Sequence, residues 1–560
     1  MLVAIVIWVE VVAMSKPLRH MLTVVVMVVA TVFSFAIAPG VARAAGTGAI
    51  TVDGTVATRY DAYQIFSATV VDDADADQKV ATDITWANDA VRQAVLPVLH
   101  DAGLDSSAST AQEAVEWMNV DGHMTTALAA KLARAICNAG APSVALNAGT
   151  AAELSCGYWL IVADDGAIAQ DEVGTAPIMA LVGGGAVTVK PKAATPKVAK
   201  HVLEDSTAAW QKAADATVAD DLYWRLSATV PAGLSAYDTY AVQFVDAMSA
   251  GLDPSRVAAS MRVYVAAGAE GGFDAVACEG GNANSTPAKG WTDITSQCKV
   301  SVEGNAFTVR TGDLIAALGG ADVFAAGARV LAVYNAPLNN VCNHGIAKGN
   351  PNEVYLRYPR SPFADQSGNS GFTRTPSDDA TAYTWGLSLI KRSSSDDKPL
   401  VGAKLRITDD RGRALSADGT WTTDADAYVV SGEDGRVELN GVDAGVYTVE
   451  EVAAPKGYTA FEGKRTVTVA ADGLDVKQVA AAKPKVTVSA ESPLRVDAAD
   501  AGTGSIELSV LNTPSKEASR GFMPSTGDRT LVLVAALAVI GVTAIVAALV
   551  IKRGGGRRDK

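Results

Sequence analysis

The stretch Gly48-Ala49-Ile50-Thr51-Val52-Asp53-Gly54, followed by Tyr60-Asp61-Ala62-Tyr63-Gln64-Ile65-Phe66, alternates apolar and polar side chains between polar turns. A period of two puts successive side chains on opposite faces of a strand, so this reads as β-structure with one buried face. The signal returns at Gly157-Tyr158-Trp159-Leu160-Ile161-Val162 and at Ala186-Val187-Thr188-Val189. Between about Asp83 and Gly140 the pattern turns helical, as in Thr110-Ala111-Gln112-Glu113-Ala114-Val115-Glu116-Trp117-Met118. The first block, 45–192, is therefore expected to be a β domain with a helical insertion. A second block, 193–360, carries strand-like runs at Ala241–Val245 and Val354–Tyr358. A third, 383–514, opens on Leu387-Ser388-Leu389-Ile390-Lys391 and closes on Val510-Leu511-Asn512-Thr513-Pro514. Between them, Ser361 to Asp379 is rich in Ser, Pro, Gly and Asp and reads as linker. The fold class expected is mainly β, as tandem sandwich domains.

Neither end belongs to this body. Lys16, Arg19 and His20 precede an apolar stretch, Leu22 to Ala38, and Ala42-Arg43-Ala44 offers small residues before a cleavage point. Residues 1–44 read as a secretory signal peptide, with Met14 or Met21 the better initiator. At the other end, 515–530 is a second linker, and Leu531–Ile551 is charge-free and long enough to span a bilayer as a helix. The tail 552–560 carries Lys552, Arg553, Arg557, Arg558 and Lys560, which places it in the cytoplasm.

The chain carries 47 basic and 61 acidic side chains; the terminal segments hold 9 and 3 of them, leaving 38 and 58, a net −20 for the exported part. Such a surface argues against nucleic acid or anionic lipid as partner. Five cysteines are too few for a disulfide scaffold, although export permits bridges. By proximity in sequence, Cys137 with Cys156 and Cys278 with Cys298 are candidate pairs, with Cys342 left over. The five histidines show no metal spacing, and Cys342 with His344 makes no site. Asp215, Asp220 and Asp221 form a small acidic cluster that reads as a solvated turn rather than a calcium site. No nucleophile elbow or phosphate loop is present. The expectation is no cofactor, no metal and no turnover enzyme.

Met523-Pro524-Ser525-Thr526-Gly527, standing before an apolar span and a basic tail, resembles the Leu-Pro-x-Thr-Gly sorting signal of Gram-positive surface proteins, with Met523 at the leucine position. Gly48 to Phe66 and Gly157 to Ile161 are similar to the opening domain of the isopeptide-forming fimbrial subunits, the backbone pilins. Gly349-Asn350-Pro351-Asn352-Glu353-Val354-Tyr355-Leu356 resembles the end of their middle domain, which is collagen-adhesin A-like. Tyr447-Thr448-Val449-Glu450-Glu451-Val452, followed by Ala454-Pro455-Lys456-Gly457-Tyr458, resembles the collagen-adhesin B-type domain, with Val449 and Val452 departing from its usual pattern.

The resemblance implies tandem Ig-like sandwiches and a chemistry in which a lysine amine displaces ammonia from an asparagine side chain beside a carboxyl group. The lysine must be neutral to attack, and burial lowers its pKa; burial likewise keeps the carboxyl protonated. In the third block the trio implied is Lys391, Glu451 and Asn512. In the second it is Lys200, in Val198-Ala199-Lys200-His201-Val202, with Asp246 as acid and Asn352 or Asn350 as amide, Asn335 being a third candidate. No trio stands out in the first block.

The resemblance also implies that a sortase cuts between Thr526 and Gly527 and joins Thr526 to a lysine of the next subunit. Val187-Thr188-Val189-Lys190-Pro191-Lys192 resembles the pilin motif that supplies this lysine, with Lys192 or Lys190 as acceptor. The function implied is a shaft subunit of a wall-anchored pilus, on the cell surface after a transient membrane-anchored stage. A wall-anchored adhesin is the alternative. The partners implied are a class C, pilin-specific sortase, a housekeeping sortase, identical subunits in a covalent head-to-tail polymer, tip or base pilins, and peptidoglycan.

Overall fold

The computed structural model of the protein describes residues 46–515, apart from 55–56, 74–77, 169–171, 192–194, 276–277, 280–281, 284–286 and 477–484. The signal segment, the sorting motif at Met523–Gly527, the apolar span 531–551, the basic tail and Lys192 lie outside the described residues. Among those described, no helix is long and apolar enough to cross a membrane.

The chain divides into two compact units. The first holds residues up to Asn343, then Gly349–Tyr383 and Leu474–Ala482; the second holds His344–Lys348, Thr384–Gly473 and the chain from Lys483. Both are built from antiparallel sheets, with a few parallel pairings. The first two blocks of the sequence thus share one unit.

Within the first unit, the long strand Arg59–Asp73 pairs with Gln78–Trp86 on one side and Gly157–Ala163 on the other, and Ile178–Val182 extends the sheet. A smaller sheet sets Thr47–Val52 between Ala152–Ser155 and Val187–Val189. Gly157 has φ +139°, and a Cβ there would collide with the Phe66 carbonyl, so glycine is what lets these strands meet. The predicted helical insertion is three helices, Asp89–Asp101, Ala111–Met118 and Thr126–Asn138, whose apolar stripes pack on the sheet. Thr110 opens the second with a reciprocal cap. Its hydroxyl accepts from Glu113 N (3.2 Å), and Thr110 N donates to Glu113 Oε2 (2.9 Å). A cap of this kind contributes about 1 kcal/mol.

The second block packs two sheets face to face. One runs Ala209–Gln211, Lys197–Glu204, Tyr223–Val230, Ala328–Asn335, Arg262–Ala267 and Thr292–Asp293. The other runs Ala213–Asp215, Asp378–Tyr383, Asn350–Pro359, Gln243–Met248, Ala306–Arg310 and Lys299–Glu303. Trp224, Phe244, Tyr334 and Tyr358 fill the space between them and are fully buried.

The stretch read as linker belongs to this sandwich. Phe372–Arg374 and Asp378–Tyr383 both pair with Asn350–Pro359, and Asp378–Tyr383 also runs parallel to Ala213–Asp215. Its Ser, Gly and Asp residues make real turns, such as Ser367 N onto Asp365 Oδ1 (2.8 Å), but Thr373, Thr375 and Thr381 are buried. The composition marked the turns and hid the strand Phe372–Arg374 and the start of Asp378–Tyr383.

In the second unit, Trp385–Ser393 lies between Arg436–Val442 and Ser505–Pro514. The facing sheet centres on Lys404–Thr408, Gly445–Ala453 and Lys464–Asp472. The first and last strands of the third block are parallel neighbours, in register from Gly386 opposite Ser505 to Ser393 opposite Asn512.

The disulfide expectation is corrected. Cys137 and Cys156 are both free: Cys137 is exposed at the end of its helix, whereas Cys156 is buried with its sulfur against Gly46 and Gly183. Closeness in sequence does not bring the exposed sulfur and the buried one together. Cys298 is also free, its sulfur 3.3 Å from the Ile294 carbonyl, and burial pushes its thiol up to about 12. The side chain of Cys278 lies outside the described residues.

Candidate functional site

Polar side chains seldom lie fully buried unless they are paired. Two clusters of such residues lie between the sheets of the two sandwiches, and each contains a lysine, a carboxylic acid and an asparagine.

In the first unit, Lys200 points inward from Lys197–Glu204, beside the inward positions Val202 and Glu204. Asp246 and Asn352 point inward from neighbouring strands of the opposite sheet, where Met248 is in register with Asn352. Lys200, Asp246, Tyr334 and Asn352 are all fully buried. The Lys200 amine contacts Asp246 Oδ2 and donates to Tyr334 Oη at 2.9 Å. Asn352 Nδ2 donates to the same hydroxyl at 2.9 Å, and the hydroxyl donates to Asp246 Oδ2 at 3.2 Å. The rings of Trp224 and Tyr334 each stand 5.5 Å from the amine.

Burial dominates the electrostatics here. It brings the Lys200 amine down to about 8, against the pull of Asp246, and raises Asp246 above the usual carboxylate range. Both shifts favour the neutral pair, amine and carboxylic acid. Two acceptors in the cluster, Asp246 Oδ1 and Asn352 Oδ1, have no hydrogen-bond donor. A protonated carboxyl can donate where an ionised one only accepts, and a buried acceptor left unsatisfied costs about 1–3 kcal/mol.

The backbone under Lys200 is held as well. Lys200 N donates to Asp378 Oδ2 (2.7 Å), and the buried Lys212 amine bonds the Lys200 carbonyl (2.8 Å) and Asp378 Oδ2 (2.5 Å). Asp378, at the end of the stretch read as linker, thus anchors the lysine strand.

Of the candidate amides, only Asn352 faces the lysine. Asn350 is buried but occupied: its Nδ2 donates to the carbonyls of Asn343 (2.9 Å) and Ala382 (3.2 Å), and its Oδ1 accepts from Asn343 N (2.9 Å). Asn335 binds Asp221 Oδ1 (2.7 Å) and Leu222 N (3.2 Å). Asp221 is also paired with Arg256 (2.7 Å), so the acidic cluster noted in the sequence is drawn into structural contacts.

In the second unit, Lys391 and Asn512 project from the paired first and last strands, and Glu451 reaches them from Gly445–Ala453 of the facing sheet. Lys391 is fully buried, with Asn512 and Glu451 nearly so. The Lys391 amine lies 2.5 Å from Asn512 Oδ1 and 3.0 Å from Glu451 Oε1. Asn512 Nδ2 donates to that same Glu451 oxygen at 2.8 Å, while Glu451 Oε2 accepts from Phe461 N at 3.0 Å. Burial lowers the Lys391 amine below its ordinary value, and the Phe461 ring stands 5.2 Å away.

Tyr334 and Phe461 are the members that sequence reasoning missed. An inward aromatic on a strand carries no mark that separates it from ordinary core. Lys190 is exposed, 3.5 Å from Asp53.

Residues 386–483, which hold Lys391 and Glu451, match the SpaA family model, a prealbumin-like fold domain. No curated protein matches the chain. Among solved structures the chain is similar to the T6 backbone pilin of serotype M6 Streptococcus pyogenes, at 15% identity and a TM-score of 0.45, over 84% of this chain and 99% of that one. It is also similar to the major pilin SpaD of Corynebacterium diphtheriae, at 14% identity, TM-score 0.42 and coverage of 84% and 98%. A third is BcpA, the major pilin subunit of Bacillus cereus, at 12%, 0.36, and 84% and 99%. The chain is mainly β, carries a SpaA prealbumin-like domain over residues 386–483, and is similar to Gram-positive backbone pilins.

Proposed function

We propose that this chain is the shaft subunit of a sortase-assembled surface pilus, and that its second and third blocks close autocatalytic Lys–Asn isopeptide bonds. The observation that carries the reading is the pair of buried lysine–carboxyl–asparagine clusters, above all Lys391 with its amine 2.5 Å from Asn512 Oδ1. A solvated lysine would be charged and inert toward an amide. Here folding strips water from the amine, sets it against the amide, and places an acid in contact with both.

The step balances within the cluster. The neutral amine of Lys391 attacks Asn512 Cγ, and the carbonyl electron pair moves onto Oδ1. Glu451, which touches both nitrogens, takes a proton from Nζ and delivers one to Nδ2. The carbonyl re-forms, the Cγ–Nδ2 bond breaks, and ammonia departs. Proximity supplies much of the acceleration, since two groups held in contact react as if at very high concentration. In the second block Lys200, Asp246 and Asn352 take the same parts. Each block acts once on itself, so the chain is no turnover enzyme.

The mass of the mature chain tests this: it should fall short of the sequence mass by two ammonias, one per bond. Asn352→Ala should restore one, whereas Asn350→Ala, which removes only local backbone contacts, should restore none. A wild-type chain of full sequence mass refutes the cross-linking reading. Asn352→Ala should also respond to pH in a defined direction. Its Lys200 amine stays free, with a folded value near 8 against 10.5 when unfolded. Between those values the unfolded chain binds more protons, so the stability of this variant should rise with pH across that window. The wild type, its amine consumed, should lack the slope; urea midpoints at several pH values measure it.

Assembly rests on the ends of the exported chain. The sorting motif Met523–Gly527 would be cut after Thr526 by a pilin-specific sortase and joined to Lys192, or to Lys190, of the next subunit. A housekeeping sortase would transfer the finished fibre, with its tip and base pilins, to peptidoglycan. Mass spectrometry of assembled fibres should find a branched peptide joining Thr526 to a lysine. A surface form that retains the 531–551 segment refutes the sorting step.

A further inference from the structure

The two clusters differ in which atom touches both reacting nitrogens. In the third block it is a carboxylate oxygen: Glu451 Oε1 lies 3.0 Å from Lys391 Nζ and 2.8 Å from Asn512 Nδ2. In the second block it is a phenol oxygen: Tyr334 Oη lies 2.9 Å from Lys200 Nζ and 2.9 Å from Asn352 Nδ2. Asp246 bonds the amine and the phenol through Oδ2, and its Oδ1 has no partner.

We infer that Tyr334 is a catalytic residue of the second block, the proton relay between the attacking amine and the departing one. The inference rests on the cross-linking reading of that site. As long as Asn352 is a planar amide, Nδ2 has no available lone pair and donates to the hydroxyl. When Nζ attacks Cγ and the carbonyl pair moves onto Oδ1, the centre becomes tetrahedral and Nδ2 becomes a basic amine. The direction of that contact then reverses. The hydroxyl gives its proton to Nδ2 as it takes the surplus proton from Nζ. The carbonyl re-forms, the Cγ–Nδ2 bond breaks with its electron pair on nitrogen, and NH₃ leaves. Tyr334 is a neutral phenol before and after, so no charge is stranded in the buried site.

This divides the work that Glu451 performs alone. In the second block Asp246 is left to act on the oxygen side, where Asp246 Oδ1 and Asn352 Oδ1 are both buried without a hydrogen-bond partner. The phenol is rigidly presented for the task. Tyr334 is fully buried, and its ring meets Phe307 edge to face at 4.7 Å. The hydroxyl has no solvent to exchange with, which keeps the relay within the cluster.

The test follows both bonds in the same molecules. The full chain is made in a cell-free reaction, quenched at intervals and digested, and the branched peptides Lys200–Asn352 and Lys391–Asn512 are quantified. Tyr334→Phe should slow the first by a factor on the order of 10²–10⁴, the usual size of a general acid–base contribution. The second should form at its wild-type rate, which reports that the third block has folded. A second variant separates relay from packing: fluorotyrosine at position 334, with the halogen beside the hydroxyl, keeps the shape and makes the phenol more acidic. It should change the rate of the Lys200–Asn352 bond alone. A wild-type rate in Tyr334→Phe overturns the relay, as does a slow Tyr334→Phe with an unchanged fluorotyrosine rate. Failure of the unaltered chain to form the Lys200–Asn352 bond instead overturns the cross-linking reading of the second block.

Discussion

Glu451→Ala should give a chain lighter than the cross-linked wild type by less than the substitution accounts for, the difference being one retained ammonia. The variant keeps the nucleophile, and Asn512 remains on the adjacent strand, so proximity survives. What it lacks is the group that passes a proton from Lys391 Nζ to Asn512 Nδ2, and without it an amide nitrogen is too poor a leaving group. Two losses of stability follow. Lys391 remains buried without its acid partner, where burial already lowers its pKa. The chain also loses a covalent tie across 121 residues. By the loop-closure argument used for disulfides, a tie of that span is worth about 4–5 kcal/mol, as an upper guide. For a domain of this size that corresponds to a fall in Tm on the order of 20 °C. Calorimetry of Glu451→Ala beside Lys391→Ala, which removes the nucleophile instead, should show comparable falls. A Glu451→Ala chain with the wild-type mass deficit would show that the carboxyl is dispensable.

Lys192→Ala should abolish the ladder of covalent multimers that survives boiling in detergent, while monomer still reaches the wall. Sorting needs only the signal around Thr526, whereas polymerisation needs an amine on the next subunit to open the enzyme-bound intermediate. The effect should be all or none, because without an acceptor no bond forms. Lys190→Ala is the paired control. Lys190 is exposed beside Asp53 and could serve in its place. A ladder that persists when Lys190 and Lys192 are replaced together means that this segment is not the acceptor; a wild type with no ladder favours the adhesin reading.

The trios entered through the resemblance, and the residues' surroundings in the sequence agree with it. Lys391 ends an apolar alternation at an inward position, Asp246 sits among apolar neighbours, and Asn512 closes the last strand. A strand's period of two exposes a polar residue on the wrong face. Tyr334 breaks no pattern, since an inward tyrosine is what a core strand ordinarily carries, and only the three-dimensional meeting of Nζ, Nδ2 and Oη distinguishes it. Asn350 and Asn352 share a face of one strand, so periodicity could not separate them; the backbone groups that occupy Asn350 do. The start of the strand Asp378–Tyr383 was hidden behind turn-rich composition, and the cysteine pairing failed because closeness along the chain does not fix where two side chains lie.

The parallel pairing of Trp385–Ser393 with Ser505–Pro514 has a mechanical consequence. A pull entering at Trp385 and leaving at Pro514 loads these two strands in opposite senses along their length. Their hydrogen bonds are then sheared together and not peeled one at a time. With Lys391 bonded to Asn512, tension travels a few residues into the first strand, crosses the bond, and leaves within a few residues of the end of the last. The chain between them, a separation of 121 positions, carries none of it. Released, that length would extend on the order of 400 Å. The bond therefore removes extensibility itself, so that this domain resists a tug as an inextensible link and not as a spring that yields and must refold.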